Sequence, residues 1–131
     1  MEKDLQFGFS EEDRLLRIIQ ENFGETFEKT PDHHPYDYTD GETYIELKSR
    51  RCNHNTYPDT MIGYNKLKYA MNRPENKFIF LFNFKDGIYK HEFCPDKTYK
   101  IKQGGRSDRG KLELNQYAYI PVYQLTHLFT F

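Results

Sequence analysis

The sequence predicts an α/β chain of the α+β kind, with a central mixed β-sheet flanked by helices. Three observations lead there. Near the start, Leu15, Leu16, Ile19 and Phe23 recur at helical spacing. Further on, Phe78-Ile79-Phe80-Leu81-Phe82 is continuously apolar, as a strand buried on both faces is. Eleven Tyr and eleven Phe, with no Trp, supply much of the apolar surface, and aromatic side chains suit a pleated, half-buried sheet.

The elements follow in order. Ser10 is a good N-cap, and Glu11, Glu12 and Asp13 sit where the helix dipole favours acids, so a helix is expected from Ser10 to about residue 22, ended by Gly24. A short strand is expected over 25–29, and the prolines of Pro31-Asp32-His33-His34-Pro35 mark a loop. Asp40-Gly41 is a two-residue hairpin turn between Tyr36–Thr39 and Glu42–Lys48. After a polar loop over 50–58, Asp59 or Thr60 caps a second helix carrying Met61, Ile62, Leu67, Ala70 and Met71, which Pro74 closes. Beyond Phe78–Phe82, Asp86-Gly87 is a turn and Ile88–Phe93 a partner strand. Tyr99–Ile101 and Tyr117–Ile120 read as strands, 103–110 as a Gly- and Arg-rich loop, and Pro121 as the start of a short helix through Leu128.

A length of 131 residues suits a single domain over 1–131. No apolar run is long enough to cross a membrane as a helix, and Met1–Leu5 lacks the apolar stretch of a signal peptide. Cys52 and Cys94 are too few for a disulfide framework or a zinc site. They read as reduced thiols of an intracellular protein, cytoplasmic or nuclear. Charge is unevenly spread. Residues 1–46 hold thirteen acids and four bases, whereas 47–131 hold seven acids and fifteen bases. That asymmetry fits a polyanion-binding surface beside an acidic, metal-binding one, and equally two halves that attract each other.

With Asp40-Gly41 as the turn, Tyr38 faces Thr43, Asp37 faces Tyr44 and Tyr36 faces Ile45. Alternation then puts Tyr36, Tyr38, Thr43, Ile45 and Leu47 on one face, and Asp37, Thr39, Glu42, Tyr44, Glu46 and Lys48 on the other. Asp37 and Glu46 become diagonal neighbours roughly 7–8 Å apart at the backbone. Two carboxylates at that spacing can converge on a hard cation such as Mg²⁺, which takes oxygen ligands. Lys48 is then within reach of a water or a substrate phosphate. Such a set suits phosphodiester hydrolysis. The same residue types also occur as a solvated strand face with cross-strand ion pairs.

Asp37, followed by Glu46-Leu47-Lys48 on the adjacent strand after an opening helix, resembles the PD-(D/E)XK nuclease superfamily. The string Tyr-Ile-Glu-Leu-Lys-Ser-Arg is similar to the third core strand of its resolvase-like members. The resemblance implies a restriction-endonuclease-like core, α-β-β-β-α-β, over about 10–84, with peripheral strands and a short helix over 85–131. It implies a metal-dependent endonuclease hydrolysing phosphodiester bonds in DNA, at branched, Holliday-junction-like structures or in a restriction-like manner. Asp37, Glu46 and the Leu47 carbonyl would bind Mg²⁺ or Mn²⁺, and Lys48 would orient or activate water. Glu12 is the best match to a first-helix acid, with Glu11 and Asp13 as competitors. The sequence departs from the motif in one respect, since Tyr36 separates Pro35 from Asp37.

Ser49, Arg50 and Arg51, then Lys66 and Lys68 on the second helix, and Arg106 and Arg109 in the Gly-rich loop are candidates for gripping nucleic acid. His33 or His34 is a candidate extra ligand favouring Mn²⁺. His54 and Asn53 are candidate substrate contacts, whereas Tyr64 and Tyr69 read as packing residues. A homodimer is expected, from the resemblance and the small size. Two other readings stand beside this one: an RNA endonuclease of the same superfamily preferring Mn²⁺, and a non-catalytic nucleic-acid-binding or assembly module that keeps the fold.

Overall fold

The structure is a computed structural model; it describes the backbone over 2–104 and 115–131, and side chains over 13–104 and 116–131. The chain runs α1 (Glu2–Phe23), β1 (Glu28–Lys29), β2 (Tyr38–Thr39), β3 (Thr43–Ser49), β4 (Asp59–Gly63), α2 (Tyr64–Met71), β5 (Lys77–Asn83), β6 (Gly87–Glu92), β7 (Lys100–Gly104), β8 (Asn115–Pro121) and β9 (Thr126–Thr130). The larger sheet has the order β1-β2-β3-β5-β6-β9, and β4, β8 and β7 form a smaller antiparallel one. Within the larger sheet β3 and β5 are parallel and every other pair is antiparallel. This is the expected mixed α+β architecture. The helix, three strands, helix and strand of the anticipated core are present in that order, with β4 added before α2.

Alternation along β5 divides the core in two. Ile79 and Leu81 join Leu15 and Ile19 of α1 with Tyr38, Ile45 and Ile88. Phe78, Phe80 and Phe82 join Tyr36, Ile62, Ala70, Phe84 and Ile120 on the opposite side, under α2 and the smaller sheet. That explains why β5 is continuously apolar from Phe78 to Phe82. The second half of the core is dominated by aromatic rings, and it is the half on which Glu46 stands.

Four local expectations are corrected. Helix α1 already runs from Glu2, so Ser10 lies inside it and does not cap it. No proline precedes Ser10, early acids suit the dipole, and a single Gly8 costs only about 1 kcal/mol.

Residues Asp59–Gly63 form a strand, so neither Asp59 nor Thr60 caps the second helix, which starts after Gly63. Thr60 and Ile62 point inward while Met61 points out, a period of two, and Thr60 pairs with Ile120. The adjacent apolar residues Met61 and Ile62 therefore belong to opposite faces of a strand.

Only Val122–Gln124 turns helically after Pro121, and Thr126–Thr130 becomes β9 along the edge of β6. Docking there covers hydrogen-bonding groups that β6 would otherwise leave open.

The hairpin register is Tyr38↔Ile45 and Thr39↔Tyr44, two residues from the expected one. Asp40 causes the slip. Its Oδ1 accepts the amides of Glu42 and Thr43 at 2.9 and 2.7 Å, and Gly41 takes φ +96°. The turn is thus centred on Gly41-Glu42. Because a two-residue slip preserves side-chain parity, Ile45 still faces the core of α1 and Glu46 the opposite side.

Candidate active site

Glu46 sits in the middle of β3 beside Phe80 of β5, and only 4% of it is exposed. A carboxylate so placed needs partners. Two ammonium groups approach it, one at each oxygen. Lys48, two residues on along the same face, brings Nζ to 3.4 Å from Oε1. Lys66, from α2, brings Nζ to 3.2 Å from Oε2 and also donates to the Pro35 carbonyl. The Lys66 contact is an ion pair without hydrogen-bond geometry, since Oε2 is buried with no hydrogen-bond partner. Burial raises the Glu46 pKa above its ordinary value, and the nearby Asp37 charge adds to the rise, while Lys48 and Lys66 oppose it.

Asp37 arrives by an irregular piece of backbone. Strand β2 is only two residues long, and the alternation breaks just before it. Tyr36 consequently leaves the side of Tyr38, which corrects the expectation that the two share a face. Its ring is fully buried among Phe78, Phe80, Tyr44 and Tyr69, and its hydroxyl donates to the Lys66 carbonyl at 2.7 Å. Burial and the Glu46 charge push the Tyr36 hydroxyl pKa upward, so it remains a donor. Asp37 itself is exposed beside β3. Its amide donates to the Ile45 carbonyl at 2.9 Å, and its Oδ2 accepts the Leu47 amide at 2.8 Å. An extended residue aims its N–H and C=O to the same side. The Leu47 carbonyl therefore lies on the Asp37 side of β3. A cleft of about 440 Å³, lined in part by Asp37, Leu47, His33 and Lys29, opens this edge to solvent.

Whether a divalent cation suits these residues can be judged from the donors. Among the described residues no three His, Cys, Asp or Glu side chains converge as a ligand cluster. Two carboxylates and a backbone carbonyl are at hand, an all-oxygen set of the kind hard cations take together with water. Glu46 Oε2 is buried without a hydrogen-bond partner and faces the Lys66 ammonium at 3.2 Å, and burial and the Asp37 charge raise the Glu46 pKa, a penalty on its charged form that a cation would relieve. The residues fit.

The remaining candidates are dispersed. Ser49 and Arg51 are exposed at the end of β3. Arg50 is half-buried and its Nη2 donates to the Met61 carbonyl at 3.0 Å. Lys68 is exposed, 5.1 Å from the Tyr64 ring centre. His34 takes the Tyr36 amide on Nδ1 at 3.0 Å and stacks on Tyr44, so it acts as a brace for the segment leading to Asp37. His33 is exposed with φ 72°. Asp13 is exposed on α1, whereas the side chains of Glu11 and Glu12, and all of Arg106 and Arg109, lie outside the described residues. Sequence reasoning missed Tyr36 and the inward turn of Lys66. Only the tertiary approach of α2 to β3 brings these together.

No curated protein and no solved structure matches the chain. A family model does: the one described as "Phage putative PDDEXK endonuclease" matches residues 8–128, nearly the whole length. That match, with Asp37 hydrogen-bonded to the Leu47 amide between Glu46 and Lys48 on a mixed sheet, places the chain in the phage PDDEXK endonuclease family of the PD-(D/E)XK nuclease superfamily.

Proposed function

We propose that this chain is a metal-dependent endonuclease that hydrolyses phosphodiester bonds in DNA. In this reading Asp37, Glu46 and the Leu47 carbonyl hold Mg²⁺ or Mn²⁺, and Lys48 serves the attacking water. The observation that carries it is the buried Glu46 carboxylate, raised in pKa by burial and by Asp37 and met by the Lys48 and Lys66 ammonium groups, beside Asp37 at an open cleft. When bound, a divalent cation supplies Lewis-acid polarisation of a phosphoryl oxygen and neutralises charge.

The chain's own groups do the rest. Asp37, fixed by the Leu47 amide, and Glu46, fixed by its place on β3, hold the carboxylates that would take the cation, with Lys66 as the counterion it would displace from Glu46 Oε2. Lys48 holds an ammonium where negative charge accumulates on the phosphate and where a water can be oriented. Arg51 and Lys68, both exposed, are available to neighbouring phosphates. Because one site breaks one strand at a time, the reading includes a pair of chains cutting the two strands of a branched or otherwise non-regular structure. His34 is occupied as a brace, which removes one support for an RNA-cleaving, Mn²⁺-preferring alternative.

The test compares wild type with Lys48→Ala on duplex, branched and single-stranded DNA and on RNA, with Mg²⁺ or Mn²⁺. Metal binding is measured separately by calorimetry. Cleavage of DNA should fall by about 10²-fold or more in Lys48→Ala, with metal affinity changed only a few fold. An inert wild-type protein under both ions, or an undiminished variant, defeats the reading, and cleavage confined to RNA transfers it to the alternative.

A further inference from the structure

Beyond the end of β3 lies a second cavity, of about 330 Å³, on the same side of the sheet as Glu46 and Lys48. Its walls are mostly apolar and aromatic: Tyr57, Met61, Phe84 and Tyr119. Of these, Tyr57 and Met61 are 64% and 40% exposed, so both are accessible to a guest.

Among the polar residues of the lining, which also include Asn53, Asp59 and Thr60, two are fixed by hydrogen bonds. Arg50 is one. Its main-chain amide is tied to the Asn83 carbonyl at 2.9 Å and its guanidinium to the Met61 carbonyl at 3.0 Å, which leaves further N–H donors for a guest. His54 is the other. Its main-chain amide and Nδ1 both meet the Asp86 carboxylate, at 2.9 and 2.5 Å, and its ring stacks on Tyr89. These contacts fix the imidazole and leave Nε2 without a protein partner among the described residues. Desolvation pushes the Asp86 carboxyl up, but the hydrogen bonds from His54 outweigh it and hold the carboxyl below its ordinary range. The anchor of the imidazole therefore stays ionised.

We infer that this cavity receives a single unstacked nucleobase of the nucleic acid whose phosphate lies at Asp37, Glu46 and Lys48. The inference rests on the nuclease reading for its neighbour, and on the cavity's own chemistry for its occupant. The volume is at the low end of small-molecule sites, roughly 300–1,000 Å³, enough for one planar heterocycle. Aromatic walls offer a stacking surface for any base. A guanidinium and a ring nitrogen offer donors and an acceptor for a base edge. Position agrees as well. Arg50, in the cavity lining, follows Lys48 by two residues at the end of β3. A base next to the scissile phosphate can reach the cavity only if it is unstacked. The substrate class is therefore single-stranded, branched or locally opened nucleic acid, and regular duplex is disfavoured.

The test uses metal-free full-length chain and a single-stranded DNA oligonucleotide carrying 2-aminopurine at successive positions. At one position the probe's fluorescence should change saturably on binding. Tyr57→Ala, a change at a largely exposed side chain, should abolish that change and weaken binding about tenfold. An oligonucleotide abasic at the same position should bind wild type as weakly as the intact one binds Tyr57→Ala. No position-dependent change, or equal binding by wild type, variant and abasic strand, overturns the inference. If the nuclease reading alone is wrong, the Tyr57-dependent signal persists while no cleavage follows addition of Mg²⁺ or Mn²⁺. If the base cavity alone is wrong, cleavage proceeds and the signal is absent.

Discussion

Lys66 of α2 reaches Glu46 of β3 at 3.2 Å, so the second helix supplies a counterion to the most buried carboxylate of the larger sheet. Its ammonium is also tied to the Pro35 carbonyl and lies 5.9 Å from the Tyr36 ring centre. Lys66 therefore stabilises the metal-free protein and occupies the surroundings of the oxygen that a cation would use. Lys66→Met keeps most of the stem packing and removes the charge. We expect the metal-free variant to lose roughly 1–3 kcal/mol. We also expect Mg²⁺ or Mn²⁺ to raise its melting temperature by more than it raises that of wild type, because the cation takes over as the missing counterion. Thermal unfolding with and without the ion measures both effects. Equal metal-induced shifts would show that Lys66 and the cation do not share a task.

Glu46 makes a prediction about pH in the metal-free chain. Its folded pKa is raised, chiefly by burial and then by Asp37. A raised carboxyl favours the protonated form in the folded state, so its contribution to stability is fully present below the ordinary glutamate value. It is lost as pH rises through the higher folded value. Glu46→Gln, which mimics the protonated group, should melt above wild type at neutral pH. Below the ordinary carboxylate range the two should melt together. A constant difference across the pH range would mean that packing of the amide, and not ionisation, separates them.

How much of this was legible in the sequence depends on the range of the interactions involved. Strand β5 announces itself because it is buried on both faces, and β3 because Thr43–Ser49 alternates between the two halves of the core. The proximity of Lys48 to Glu46 follows from local parity alone. By contrast, β4 is recognisable only through its partner β8, which is distant in sequence, and Met61-Ile62 fits a helix as well as a strand. The break at Tyr36-Asp37 is equally hidden. It comes from a two-residue β2 and from the pull of an aromatic core that only α2 and β5 complete. Parity placed Asp37 on the Glu46 face; in the structure Asp37 stands at the strand edge, held by the Leu47 amide.

His91 gives an independent acid-range prediction away from the candidate site. It is buried on β6, and its Nε2 is 2.7 Å from the Tyr99 hydroxyl. Burial, with the Lys97 charge, depresses its pKa to about 4. The folded protein therefore refuses a proton that the unfolded chain accepts, and stability should fall as pH drops from about 6.5 to about 4. The total loss is up to about 3 kcal/mol. By NMR the His91 ring protons of the folded chain should titrate only near the foot of this window, at about 4. In His91→Gln the pH-dependent loss across the same interval should shrink. A ring that titrates near the ordinary histidine value would refute the assignment.

Gly87 opens β6, and the reason for glycine there is the strand beside it. A Cβ on Gly87 would stand 2.3 Å from the Phe129 carbonyl oxygen and 3.4 Å from its carbon, both backbone atoms of β9. Backbone cannot swing aside as a side chain does, so Gly87→Ala must push β9 from the edge of β6. That edge also includes the bond from the Phe131 amide to the Asp86 carbonyl at 3.1 Å, next to the carboxylate that anchors His54. We expect a loss of roughly 1–3 kcal/mol and a fall in melting temperature of about 3–10 °C. Amide exchange should accelerate along Thr126–Thr130 while β3 and β5 stay protected, because their pairing does not involve β9. Unchanged protection of β9 in Gly87→Ala would mean that the two strands tolerate a wider separation than their close approach implies.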